Sequence, residues 1–132
     1  MNSEKFNDFK IDKIEIDGEK KLTYKIKNDI EIYSSVNSKF IYDIKISLIS
    51  SKETKIKNSS GKTTRYSYTL QANTLVTNTN TQKIYRKTFS SKNDYDIGST
   101  HSDTLNNERK AIENNLNYIS DEIVKYLKLL NL

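Results

Sequence analysis

Cysteine, proline and tryptophan are all missing from this chain of 132 residues, which holds one histidine, His101, and three glycines, Gly18, Gly61 and Gly98. Without cysteine there are no disulfides, no thiolate nucleophiles and no Cys-based zinc sites. A single imidazole cannot form a ligand pair. With so few glycines there is no phosphate loop, Gly-rich dinucleotide turn or nucleophile elbow. Apolar residues are also scarce, at 34%, so the expected core is thin, a single sheet covered on one face. No window approaches the roughly 20 uncharged apolar residues that a membrane-spanning helix requires, and Met1 is followed by polar residues rather than an apolar export region. The chain reads as soluble, with no cofactor, no metal and no enzymatic activity expected.

What is present is periodic. Phe9, Ile11, Ile14 and Ile16 lead to Asp17-Gly18 and predict a short strand closed by a turn, with a bulge where the alternation slips between Ile11 and Ile14. Leu22, Ile26, Ile30 and Tyr33 then recur at helical spacing. Phe40, Tyr42, Ile44, Ile46 and Leu48 alternate with Ile41, Asp43, Lys45, Ser47 and Ile49 and predict a strand with its even positions inward. Residues 51–63 are polar enough to predict a long hairpin connection reaching beyond the sheet. Tyr66, Tyr68, Leu70, Ala72 and Val76 mark the next strand, with Arg65, Ser67, Thr69, Gln71 and Asn73 on its other side.

Asn78 to Thr81 predict a turn, and Ile84, Tyr85 and Phe89 a basic strand near an edge. The pattern is expected to break over 94–99, where Asx turns account for Asp94 and Asp96. Ser102 or Asp103 is the expected cap of a long final helix carrying Leu105, Ile112, Leu116, Ile119, Ile123, Tyr126 or Leu127, and Leu130. The predicted fold is α+β, a two-layer sandwich in which a four-stranded, mostly antiparallel sheet carries two helices on one face, in the order β-α-β-β-β-α. Residues 1–132 are expected to form one domain.

Catalytic candidates are thin. Glu108, Glu113, Asp121 and Glu122 are expected on the wet side of the last helix in local ion pairs, and His101 on the surface. With 22 Lys and Arg against 17 Asp and Glu, the net charge is +5. Cations gather along the predicted sheet and its loops, from Lys55 to Lys92. Antiparallel pairing would bring Lys62 and Arg65 toward the strand that holds Arg86 and Lys87, giving one patch for phosphates or other anions. Taken from the residues alone, protection of an exposed strand against sheet-to-sheet pairing is the favoured explanation of the same lysines.

The element order, the stretches Arg65-Tyr66-Ser67-Tyr68-Thr69-Leu70 and Tyr85-Arg86-Lys87-Thr88-Phe89, the pair Tyr95-Asp96 and the closing helix from Ile119 to Leu132 together resemble the LptE family. These are Gram-negative outer-membrane lipoproteins of lipopolysaccharide assembly. The resemblance spans nearly the whole chain and implies a non-enzymatic plug for an LptD-like outer-membrane barrel. It also implies lipopolysaccharide binding through basic residues, which here map to Arg65, Arg86 and Lys87, with Lys62 added for its place beside the hairpin turn. Family members carry a signal peptide and an acylated lipobox cysteine, both absent from this sequence. The resemblance thus implies a longer, lipid-anchored form on the periplasmic side of the outer membrane. An auxiliary lipoprotein of an ABC-type lipid transporter would share this element order. A basic double-stranded-RNA-binding module shares part of it, but the stretch 100–108 lacks the lysines such a module needs, and no nucleic acid is expected as a partner.

Overall fold

The computed structural model describes residues 8–130. The elements run β1 (Lys10–Asp17), α1 (Lys20–Glu31), β2 (Ile41–Lys57), β3 (Thr63–Asn78), β4 (Ile84–Asp96) and α2 (His101–Leu129). The α+β order and the four-stranded sheet agree with the sequence reading. The sheet order is β1-β2-β3-β4, with β1 parallel to β2 and the other two pairs antiparallel. The expected bulge in β1 lies between Ile11 and Lys13. At the β1–α1 turn, Gly18 has φ +144°, and a side chain there would press on Leu48, so glycine is the residue that fits.

One face of the sheet carries both helices. Tyr42, Ile44, Ile46, Leu70, Ala72 and Val76 point into it and are buried. Ile26 and Ile30 of α1 and Ile119, Ile123 and Leu127 of α2 close the same core, following the 3.6-residue stripe of each helix. The helices meet directly, the Ser120 hydroxyl donating to Asp29 Oδ2 at 3.2 Å. Tyr33, Phe40 and Leu105, all expected inside, are exposed instead. Tyr33 lies just past the end of α1, Phe40 just before β2 and Leu105 in the first turns of α2, at the margins of the elements that build the core.

Three element boundaries depart from the sequence reading. Residues 51–57 continue β2 and pair with β3 down to Lys57↔Thr63, leaving only residues 58–62 as the turn. This part of β2 is exposed on both faces and shows no apolar alternation, so its extent is set by pairing with β3. The stretch 94–96 belongs to β4 rather than to a loop, with Tyr95 buried and Asp96 opposite Arg65. The cap of α2 is Thr100, whose hydroxyl accepts from the Asp103 amide at 3.0 Å, while Asp103 in the first turn complements the helix dipole.

Replacing the fully buried Ile119 by alanine should cost about 2–5 kcal/mol, whereas Ile49→Ala on the uncovered sheet face should stay within about 0.5 kcal/mol. Urea unfolding of the two variants measures the contrast.

Candidate functional site

The sheet face away from the helices is uncovered. Odd positions of β3 (Arg65, Ser67, Thr69, Gln71, Asn73, Leu75) lie between odd positions of β2 and even positions of β4, in rungs such as Lys45↔Leu75↔Arg86 and Ser51↔Thr69↔Lys92. The face is polar, with hydrogen bonds running across it. The Gln71 amide donates to Asn73 Oδ1 at 3.1 Å, and the Thr88 hydroxyl donates to the same oxygen at 3.0 Å. Near β4 the face dips into a shallow cleft of about 330 Å³ bordered by Asn73, Leu75, Arg86 and Thr88.

At one end this face runs out into the β2–β3 ribbon, where every β2 residue from Ser51 to Lys57 is exposed. Asn58 builds the turn. Its side-chain oxygen accepts from the Ser60 amide, the Ser60 hydroxyl and the Lys62 amide, and its backbone amide donates to the Lys62 carbonyl at 2.8 Å. Gly61 supplies the positive φ of +81° that the turn needs. Lys62 therefore sits at a rigidly bonded tip. Arg65, three residues along, donates through Nε to Asp96 Oδ1 at 2.7 Å. That guanidinium hydrogen bond, with its charge, holds the Asp96 carboxyl below its ordinary value and raises Arg65. The remaining guanidinium N–H groups of Arg65 stay available to an anion.

The four expected cations do not form one patch. Arg65 faces Asp96 while Arg86 faces Leu75, ten rungs further along β3, a separation of about 33 Å at ~3.3 Å per residue. Lys87 lies on the other side of the sheet altogether. It pairs with Thr74, and its ammonium sits 5.5 Å from the Phe89 ring centre and 5.3 Å from that of Tyr126 on α2. Adjacency in sequence puts Arg86 and Lys87 on opposite faces, because a strand has period two. Lys62 and Arg65 thus form one basic end, Arg86 stands at the opposite end of the uncovered face, and Lys87 belongs to the helix side.

Two polar side chains of α2 fix the root of the ribbon to the helix layer. Glu108, expected on the wet side of α2, instead accepts from the Tyr95 hydroxyl and, at 3.0 Å, from the Lys52 ammonium. The Tyr95 hydrogen bond, then the Lys52 ammonium, lowers the Glu108 carboxyl, while burial pushes the Tyr95 phenol up. Lys52 also lies 4.4 Å above the Tyr66 ring centre, and its hydrogen bonds to Tyr95 and Glu108 raise its ammonium. Asn115 is fully buried. Its amide donates to the Tyr68 carbonyl at 3.1 Å, and its oxygen accepts from Ser91 at 2.7 Å and from Asn93. The helical spacing carried the signal for both: 108 lies four residues before Ile112, and 115 four before Ile119. His101 is exposed at the start of α2. Among the described residues, no cluster of three or more His, Asp or Glu side chains could hold a metal ion, and no helix is long and apolar enough to cross a membrane.

No protein-family model matches the chain, and no curated protein matches its sequence significantly. Solved structures share its fold. A candidate lipoprotein from Caulobacter crescentus superposes with a TM-score of 0.67 at 8% identity, covering 96% of this chain and 92% of its own. Uncharacterized lipoprotein B from Nitrosomonas europaea gives 0.61 at 11% identity, covering 93% and 83%. Rare lipoprotein B from Shewanella oneidensis gives 0.54 at 11% identity, covering 91% and 87%.

The lowered Glu108 carboxyl sets a pH dependence. Its contribution to stability is present above the ordinary glutamate value, 4.5, and is lost as the pH falls through its lower folded value. Glu108→Gln should cost about 1–2 kcal/mol at pH 7. Urea unfolding between pH 7 and 3 should show the wild type losing that advantage over the variant on acidification.

Proposed function

We propose that this chain is a non-enzymatic lipoprotein of outer-membrane lipopolysaccharide assembly, which plugs and supports an LptD-like barrel and binds lipopolysaccharide. The observation that carries the reading is the uncovered polar sheet face running without interruption into a basic ribbon. Apart from isolated side chains such as Ile49 and Leu75, this face has little apolar surface to bury against a second core, and it offers donors and acceptors along its length. That suits the polar lumen of an outer-membrane barrel. Lipoproteins such as rare lipoprotein B share this fold, which supports the lipoprotein part of the assignment. In this reading the native protein is held to the membrane by an N-terminal lipid anchor, on the periplasmic side of the outer membrane.

Lipopolysaccharide would be engaged chiefly at the ribbon end. Lys62 projects from a bonded turn and Arg65 is oriented by Asp96, so both present charge without first having to be ordered. A guanidinium with free N–H groups beside an ammonium is a good partner for lipid A phosphates. Arg86 would make a second, separate contact on the uncovered face, and Lys87 would act only indirectly, through its packing on Tyr126.

Co-expression of the lipidated form with the barrel protein of the same genome, followed by purification through a tag on this chain, tests the partner. A stable one-to-one complex is expected, and recovery of an inner-membrane transporter in its place would overturn the reading in favour of the auxiliary-lipoprotein alternative. For the ligand, Lys62→Ala with Arg65→Ala should weaken lipopolysaccharide binding about fivefold to tenfold with little change in unfolding midpoint. Adding Arg86→Ala should multiply that loss by an independent factor, since distant sites act additively.

A further inference from the structure

The end of the molecule opposite the ribbon has a different chemistry. The start of β1, the end of α1, the start of β2, the β3–β4 turn and the end of α2 all converge there. Backbone contacts knit these segments together: the Ser35 amide donates to the Phe9 carbonyl, the Lys10 amide to Phe40, and the Thr79 amide to Ile41, each at 2.7–2.9 Å, while the Asn80 side chain donates to the Lys39 carbonyl. Lys128 near the end of α2 lies 5.2 Å above the ring centre of Tyr33. Six of the twelve exposed large apolar or aromatic side chains among the described residues sit at this one end: Ile32, Tyr33, Val36, Phe40, Ile84 and Leu129. Ile32, Val36 and Leu129 are 76%, 77% and 61% exposed, more than packing or helix spacing calls for.

The charge of this end is predominantly positive. Segments 8–10, 31–41, 78–87 and 125–130 hold seven Lys or Arg residues against Asp8 and Glu31, an excess equal to that of the whole chain. The lysines stand beside aromatic rings. Besides Lys128 on Tyr33, Lys83 is 5.2 Å above the Tyr85 ring centre, and Lys87 lies over Tyr126. Isolated apolar knobs on turns and helix ends, amphipathic tyrosines and a surround of lysines are what the boundary between lipid headgroups and acyl chains accepts.

We infer that this end docks on the surface of an anionic phospholipid bilayer. A second copy of the chain is a poorer occupant, because apposing two such ends would bring cations against cations. The inference rests on the surface alone, so it stands apart from barrel and lipopolysaccharide binding. If the lipid-anchored reading also holds, the anchor and this end would press on the same membrane.

The test is co-sedimentation of the full, non-acylated chain with extruded vesicles of phosphatidylglycerol and phosphatidylethanolamine, with phosphatidylcholine vesicles as the neutral reference. Binding to the anionic vesicles is expected, weak on phosphatidylcholine and falling as salt is raised. Ile32→Glu with Val36→Glu should lower the bound fraction at least fivefold, as should Lys39→Glu with Lys83→Glu, a pair that leaves every apolar group in place. Ile49→Glu on the uncovered face should bind as the wild type does. The inference is overturned if the chain ignores anionic vesicles, if both variants of this end bind normally, or if Ile49→Glu loses as much. A concentration-dependent dimer in the absence of lipid, abolished by Ile32→Glu with Val36→Glu, would assign the end to a second copy instead. Loss of barrel co-purification would leave the vesicle result unchanged.

Discussion

β3 is paired on both sides along nearly its whole length, to β2 over Thr63–Asn78 and to β4 over Arg65–Thr77. Because a strand sends alternate side chains to opposite faces, its register admits no partial error. A slip of one residue would place Tyr68, Leu70, Ala72 and Val76 in water and drive Arg65, Gln71 and Asn73 under the helices. The core, the uncovered polar face and the positions of the flanking cations therefore follow from a single choice. The same parity separates Arg86 from Lys87, sending one to the open face and the other to the aromatic rings beneath α2.

Apolar burial holds α2 on the sheet but does not fix where it lies along its axis. A stripe of Leu116, Ile119, Ile123 and Leu127 would accept a shift of one turn at modest cost, since like replaces like. Asn115 does not tolerate that shift. Moving it strands its own buried amide and takes the acceptor from Ser91 and Asn93, and an unmade hydrogen bond in a buried setting is expensive. Glu108 adds a second pin nearer the start of the helix, through Tyr95 and Lys52. Two polar contacts thus give the helix layer its position, and the ribbon takes its root from the outer one.

The sequence showed clearly those elements that bury one face. The alternation of β2 and β3 and the stripes of both helices named the core almost residue by residue, and the one-sided sheet followed. What stayed hidden depends on pairing or on distant partners. β2 past Ser51 has no dry side, so nothing in its pattern distinguishes a strand from a polar loop. Tyr95 alone marks the end of β4, and one aromatic does not make a period. Glu108 and Asn115 are polar residues at stripe positions, visible as exceptions but not as contacts, because their partners lie in other strands. The grouping of Lys62 and Arg65 with Arg86 failed for a related reason. Strand adjacency was readable, whereas the offset along the ladder was not.

The hairpin past the Arg65↔Asp96 rung, where β4 ends, is supported by β2–β3 pairing and not by the core, which makes its length a ruler that can be reset independently of the domain. Two residues added to each strand would carry the tip outward by roughly 7 Å and leave every side chain on its original face. A single residue added to each would carry it half as far and turn the cations of the tip to the other side. Changes in reach should therefore come in even steps, with the odd ones exchanging which surface meets the phosphate.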